Sequence, residues 1–216
     1  GRLDKIPHIQ VEWYHALAPA VLLVLTRIGI PVSTTFLVLS VFASTVVFEK
    51  MMVKSMLGYA IAAVVSYGFW MILSKFLDEK KKVDSNYEKY WRVAQWCTTG
   101  FLWFTWLSHD LANIAVFAPR QMSPEFLTGI TVMLVGMLGF IFYEQGGKIQ
   151  QIVIEKSTTS YVRSATIIDG VYAFILLYLK QMNNIPMSTT WVFVGLLCGR
   201  ELAIATRMNK KVKKVF

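Results

Sequence analysis

Two short polar turns interrupt apolar stretches, and their residue types are suited to binding an anion. Ile30 to Thr35 and Ile185 to Thr190 share the pattern I-P-x-S-T-T, with their prolines 155 positions apart. Proline ends a helix, and serine or threonine caps the next helix, whose free N–H groups and dipole favour anions. One copy alone would be an ordinary helix start, but paired Pro-interrupted segments are typical of transporter binding sites. The predicted anion ligands are Ser33, Thr34, Thr35, Ser188, Thr189 and Thr190.

A second group of candidate residues lies inside an apolar stretch, around Asp110. A carboxylate within a membrane span is costly and by default marks an ion or proton pathway. Asn113 lies three residues on, so it shares a helix face with Asp110. Together they offer oxygen ligands for Na⁺, or Asp110 carries a proton; His109 pairs with Asp110 or titrates. The alternative is a buried polar network that only joins helices. We predict a coupling-ion site at Asp110, Asn113 and His109.

Five other charged residues lie near apolar segments. Arg27 and Lys180 precede the two turns, where they either attract anions or extend toward the membrane surface. Asp169 is interpreted as interfacial. Arg200 and Glu201 are predicted to form an ion pair at a helix end.

The composition indicates an integral membrane protein. The 216 residues are 55% hydrophobic and only 16% charged, with a mean hydropathy of +0.49, and Phe126 to Tyr143 is free of charge over a membrane-spanning length. The net charge of +9 suggests anionic lipid as a partner rather than nucleic acid, because the basic residues flank apolar spans. Cys97 and Cys198 are expected to be small core residues. We predict no metal site beyond Na⁺ and no cofactor.

The lengths of the apolar segments predict an all-α fold with two re-entrant hairpins and about three full transmembrane helices. Tyr14 to Thr26 and Phe36 to Phe48 each extend roughly 20 Å, short of the ~30 Å hydrocarbon core, so residues 14–48 are expected to enter and leave on one side. The predicted full spans are 56–76, 93–117 and 126–143, and the second hairpin is 165–205, with arms over 165–179 and 191–205.

The organisation predicted from these segments is an inverted repeat. Residues 1–77 form part of a first repeat, 78–92 a basic linker, 93–206 a second repeat and 207–216 a basic tail. Three spans between the hairpins place their openings on opposite sides of the membrane. The excess of lysine and arginine, including Lys80 to Lys82, predicts that the linker and the tail are cytoplasmic. We expect a multi-pass protein of the plasma or inner membrane.

At these residues the chain resembles the inorganic phosphate transporter family, the sodium- or proton-coupled phosphate and sulfate permeases. Ser108 to Asn113 resembles that family's second G-A-N-D-x-x-N signature, and the two I-P-x-S-T-T turns resemble its P-x-S-T-T turns. The resemblance implies that the turn hydroxyls hold the anion and that Asp110 and Asn113 hold the cation. The departures are His109 for the family's asparagine, Leu107-Ser108 for Gly-Ala, and Phe36 and Trp191 for the histidine after each turn.

The function that these residues predict is secondary active transport of inorganic phosphate or a similar oxyanion, without enzymatic activity. The first repeat's cation signature would fall before Gly1, so a truncation at Gly1 is expected. The alternatives are a non-transporting membrane subunit or degenerate paralogue and, less favoured, an intramembrane hydrolase in which Asp110 and His109 activate Ser188. Phosphate and sulfate, and Na⁺ and H⁺, remain open, as does a homodimer. Gly136 and Gly139 are small residues at which helices could pack closely.

Overall fold

The computed structural model describes residues 3–30, 32–73, 85–146, 162–182 and 185–207. Every regular element in these ranges is helical. A 3₁₀ turn over Trp13–Ala16 leads into the first α-helix. The α-helices are α1 (Leu17–Ile28), α2 (Thr34–Leu39), α3 (Thr45–Leu73), α4 (Ser85–Asp110), α5 (Ala112–Ala115), α6 (Pro124–Tyr143), α7 (Val162–Met182) and α8 (Thr189–Arg207).

Three of these helices, α3, α6 and α7, are long and apolar enough to cross a membrane. The prediction of an all-helical chain with about three helices able to cross a membrane is therefore confirmed for the described residues, but one of the three is α7, a predicted hairpin arm, and not the predicted span 93–117. Helix α6 follows the predicted span 126–143 within two residues, because Ser123 caps its start by accepting the amide N–H of Phe126 at 3.3 Å. The other two helices differ from the predicted segments.

The predicted second arm of the first hairpin, 36–48, is not one helix. Helix α2 ends at Leu39, and α3 begins at Thr45 and continues unbroken through most of the predicted span 56–76. The break directs Phe42 inward, where its ring stacks on His15 at 4.7 Å and meets Phe117 edge-on at 5.1 Å. Burial of a large aromatic side chain offsets the lost helical hydrogen bonds.

The predicted span 93–117 is also wrong in its bounds. Helix α4 starts at Ser85, within the predicted linker 78–92, and ends at Asp110; the chain turns at Leu111 before the four-residue α5. Polar residues in its first turns make α4 less apolar than the three spanning helices. The rest of the linker lies outside the described residues, as do Pro31, Asn184 and the tail after Arg207.

The two arms of the predicted second hairpin are longer than the sequence suggested. Helices α7 and α8 contain 21 and 19 residues, or about 32 Å and 28 Å. Arg163 and Lys180 lie inside α7, just outside the predicted arm 165–179. Helix α1, with 12 residues, is therefore too short to cross a membrane, whereas α7 is long enough.

Two parallel helix pairs form the core of the described structure. Helix α3 packs along α8, and α4 packs along α7. The α3–α8 pair is close enough for backbones to touch: a Cβ built on Gly195 would lie 2.4 Å from the carbonyl oxygen of Tyr59, and one on Gly199 would lie 2.1 Å from that of Ala63. Ser66 adds a hydrogen bond of 2.6 Å to the carbonyl oxygen of Leu196. Small residues thus join these helices, as they do in membrane proteins generally.

Helix α6 contributes little to this core. None of its residues is buried, and no heavy atom of the described structure lies within 4 Å of a Cβ built on Gly136 or Gly139. The close helix packing proposed for these two glycines does not occur within the described part of the chain.

Candidate functional site

The two polar turns start helices in the same way. The hydroxyl oxygen of Ser33 accepts the amide N–H of Phe36 at 3.3 Å, and that of Ser188 accepts the amide N–H of Trp191 at 3.2 Å. Both serines are therefore N-caps, as their positions before α2 and α8 predict.

Asp110 lies between the threonines of the two turns. Its Oδ1 accepts a hydrogen bond from Thr35 at 3.5 Å, and its Oδ2 accepts one from Thr189 at 2.8 Å. All three side chains are buried. Residues separated by 75 and 79 positions thus meet at one carboxylate, because α4 ends at the point where α2 and α8 begin.

Asn113 completes this cluster. Its amide nitrogen donates to Oδ1 of Asp110 at 3.0 Å and to the hydroxyl of Thr34 at 3.2 Å, so Asp110 and Asn113 share a face despite the helix break between them. Its Oδ1 is buried and accepts no hydrogen bond within the described residues. A buried oxygen without a donor, beside a carboxylate, suits a small hard cation such as Na⁺. We call Thr34, Thr35, Asp110, Asn113 and Thr189 the carboxylate cluster.

The turn hydroxyls and Asp110 form one shared cluster rather than an anion site and a cation site that lie apart. The sequence assigned the turn hydroxyls to an anion and Asp110 to a cation, whereas the structure places the carboxylate directly against Thr35 and Thr189. The oxygen atoms of the carboxylate occupy the position that an oxyanion would need in order to accept these two hydroxyl protons. An anion at these two hydroxyls would therefore be repelled by the carboxylate of Asp110 unless its negative charge is neutralised.

The residues that follow the two turns are in contact with each other. The rings of Phe36 and Trp191 lie 5.2 Å apart. These residues are 155 positions apart, the same spacing as the two prolines. The contact thus joins corresponding positions after the two I-P-x-S-T-T segments.

Four predicted residues lie at the edge of the cluster or beside it. Ser33 and Thr190 are half-buried. His109 is buried, with Nε2 3.0 Å from the carbonyl oxygen of Leu176, so it ties α4 to α7. Ser188 is fully buried, and its amide N–H donates to the hydroxyl of Ser55 at 2.8 Å.

The other predicted charged residues are placed as follows. The ammonium of Lys180 lies over the ring of Phe104, 5.7 Å from its centroid, and Arg27 is exposed. Arg200 and Glu201 form the predicted ion pair, although inside α8 rather than at its end. Asp169 accepts a hydrogen bond of 2.6 Å from Thr99, which joins α7 to α4.

Three residues that no sequence pattern singled out support the second turn. Lys54 is 5% exposed and donates to the carbonyl oxygen of Ile185 at 2.8 Å. Ser55 accepts the amide of Ser188, and the hydroxyl of Tyr172 donates to the carbonyl oxygen of Thr189 at 2.9 Å. A sequence prediction that began α3 at Thr45 would have placed Lys54 and Ser55 inside this helix. Nothing local in the sequence indicates their partners, which lie 131 and 133 positions away.

A cavity of about 350 Å³ opens beside Lys54. Helix α3 supplies Glu49, Lys50 and Lys54 to its wall, and the chain on either side of the second turn supplies Met182 and Ile185. The cavity therefore adjoins the segment that leads into the carboxylate cluster.

No family model matches the chain, and no curated protein and no solved structure matches it either.

Proposed function

We propose that this chain belongs to a secondary transporter that moves inorganic phosphate, or a similar oxyanion, together with Na⁺ or H⁺. The observation that carries the proposal is the carboxylate cluster, in which one buried Asp110 accepts hydrogen bonds from Thr35 of the first turn and Thr189 of the second. The resemblance of these turns and of Ser108 to Asn113 to the phosphate transporter family supports the same class. The protein acts as a carrier and not as an enzyme.

The position of the cluster supports binding inside the membrane. Helix α1 has 12 residues and extends about 18 Å, which is too short to cross ~30 Å of hydrocarbon. The first turn therefore ends a re-entrant hairpin. The second turn shares Asp110 with the first, so it lies at the same depth, although its helices are longer. The Phe36–Trp191 contact supports two repeats related by an axis in the membrane plane.

Charge compensation at Asp110 explains coupling. An oxyanion held about 4 Å from an ionised carboxylate would be opposed by roughly 4 kcal/mol at an effective dielectric constant near 20. Na⁺ between Asp110 and the acceptor oxygen of Asn113, or a proton on Asp110, removes most of this repulsion. The threonine hydroxyls can then donate to the anion. Anion binding therefore depends on cation binding, which is the requirement for symport.

The proposed orientation follows the distribution of lysine and arginine. Residues 78–92 and the tail 207–216 face the cytoplasm, and the protein is a multi-pass component of the cell membrane.

The experiment is uptake of radiolabelled phosphate by proteoliposomes that contain the full-length protein, under an inward Na⁺ gradient and, separately, an inward proton gradient. Thr189→Val keeps the side-chain shape but removes the donor to Asp110, and Asp110→Ala removes the carboxylate. We expect both variants to lose gradient-driven uptake. Thr131→Val is the matched control, because Thr131 is exposed on α6 and its hydroxyl donates only along its own helix, to Leu127 at 2.8 Å, among the described contacts. Wild-type uptake by both cluster variants would refute the proposal.

A further inference from the structure

Lys54 is a buried cation on a helix that is long and apolar enough to cross a membrane. An ammonium at such a position is costly, and such residues mark pathways for ions and substrates. Lys50, one turn earlier on α3, is exposed at the same cavity. The burial of Lys54 is therefore specific to its position and is not shared by its neighbour on the same helix face.

The cavity beside Lys54 can hold a hydrated small solute. Its volume of about 350 Å³ is that of roughly ten water molecules, at about 30 Å³ each. Glu49, Lys50 and Lys54 are the charged groups that line it, which leaves a net charge of +1. Except for these groups the wall is largely apolar, and the cavity is open on one side rather than enclosed.

Lys54 also joins this cavity to the second turn. Its ammonium donates to Ile185, while the next residue, Ser55, accepts the amide of Ser188. Two consecutive residues of α3 therefore hold both ends of the segment 185–188, one at the cavity and one at the start of α8.

We propose that this cavity is a binding site for an inorganic oxyanion, with Lys54 as its charged ligand, and that the anion passes from it to the carboxylate cluster. The inference rests on the proposed transport function and adds a second position on the anion's path. The anion first meets a net positive wall and reaches the negative Asp110 only after a cation has compensated that carboxylate. Lys54 thereby sets the preference for anionic over neutral solutes.

The first test compares Lys54→Gln, Lys54→Arg and Lys89→Gln in phosphate uptake by the full-length protein in proteoliposomes. We expect Lys54→Gln to raise the KM for phosphate at least tenfold, with the Na⁺ concentration for half-maximal uptake changed less than twofold. Lys54→Arg keeps the charge and is expected to remain within about threefold of the wild-type KM. Lys89→Gln is the matched control, because Lys89 is exposed on α4 and does not line the cavity, and it is expected to change KM less than twofold. Equal effects of the two glutamine variants would indicate a general surface potential and overturn the inference.

A second measurement keeps Lys54 intact and does not depend on the stability of its variants. Val53→Cys places a thiol on the cavity wall, in a background where Cys97 and Cys198 are replaced by serine. We expect inorganic phosphate, but not chloride at the same ionic strength, to slow modification of this thiol by a membrane-impermeant reagent several-fold. Equal modification rates with phosphate and chloride would overturn the inference.

The two measurements separate this inference from the function on which it rests. Phosphate uptake by the wild type that is lost in Thr189→Val but keeps its KM in Lys54→Gln would overturn the cavity site and leave the transport function standing. Phosphate protection of Val53→Cys in a protein without any gradient-driven uptake would support the cavity site and refute the transport function.

Discussion

Replacing Gly199 by alanine tests the α3–α8 contact directly. The added Cβ would lie 2.1 Å from the carbonyl oxygen of Ala63, far inside van der Waals contact and against backbone rather than a flexible side chain. The two helices must therefore separate by about 1 Å or strain their backbones. Overpacking of this kind destabilises a protein by roughly 1–3 kcal/mol. For a chain of this size, ~2 kcal/mol corresponds to a fall in Tm of roughly 4–8 °C.

The assay is thermal unfolding of the full-length protein in one detergent, followed by loss of the monodisperse peak in size-exclusion chromatography. Gly139→Ala is the matched control, because it adds the same methyl group to α6, where a Cβ meets no atom of the described structure within 4 Å. We expect the control to melt within about one degree of the wild type. If Gly199→Ala melts together with Gly139→Ala, the close approach of α3 and α8 is wrong.

Two further predictions concern the cation and the smaller core. Asn113→Ala removes the buried acceptor oxygen beside Asp110, so the Na⁺ concentration for half-maximal phosphate uptake should rise at least fivefold; an unchanged Na⁺ titration would exclude Asn113 as a ligand. Phe42→Ala should destabilise the protein by roughly 3–5 kcal/mol, because Phe42 is 3% exposed and stacks on His15. Phe140→Ala on α6 is its control, since Phe140 is 65% exposed. Equal melting temperatures of these two variants would contradict the packing around Phe42.

Local patterns in the sequence were sufficient to predict the limits of some helices. Helix α6 could be predicted closely because a charge-free stretch follows a Ser-Pro start, and both signals act within a few residues. The serine caps before α2 and α8 could be predicted for the same reason. The limits of α3 could not, because Lys54 is accommodated inside the helix by the carbonyl oxygen of Ile185, 131 positions away.

In the candidate site, the residue types could be predicted from the sequence, but their arrangement in space could not. Asp110, Asn113 and the turn threonines could be selected by type, since hydroxyls and carboxylates are unusual in apolar segments. Their meeting at one carboxylate depends on how α4 packs along α7 and α3 along α8, which no local pattern specifies. For the same reason, nothing in the sequence indicated that Thr35 and Thr189 contact the carboxylate of Asp110.

The parallel contact of α3 and α8 divides the candidate site into two mechanically unequal halves. Thr189 begins a 19-residue helix whose backbone contacts α3. A displacement of Thr189 would therefore require the 29-residue helix α3 to move as well. Thr35 and Asn113 belong to helices of six and four residues, each bounded by a break in the chain. A hinge at these breaks needs only a few torsions, whereas the opposite wall would have to shift as a rigid body.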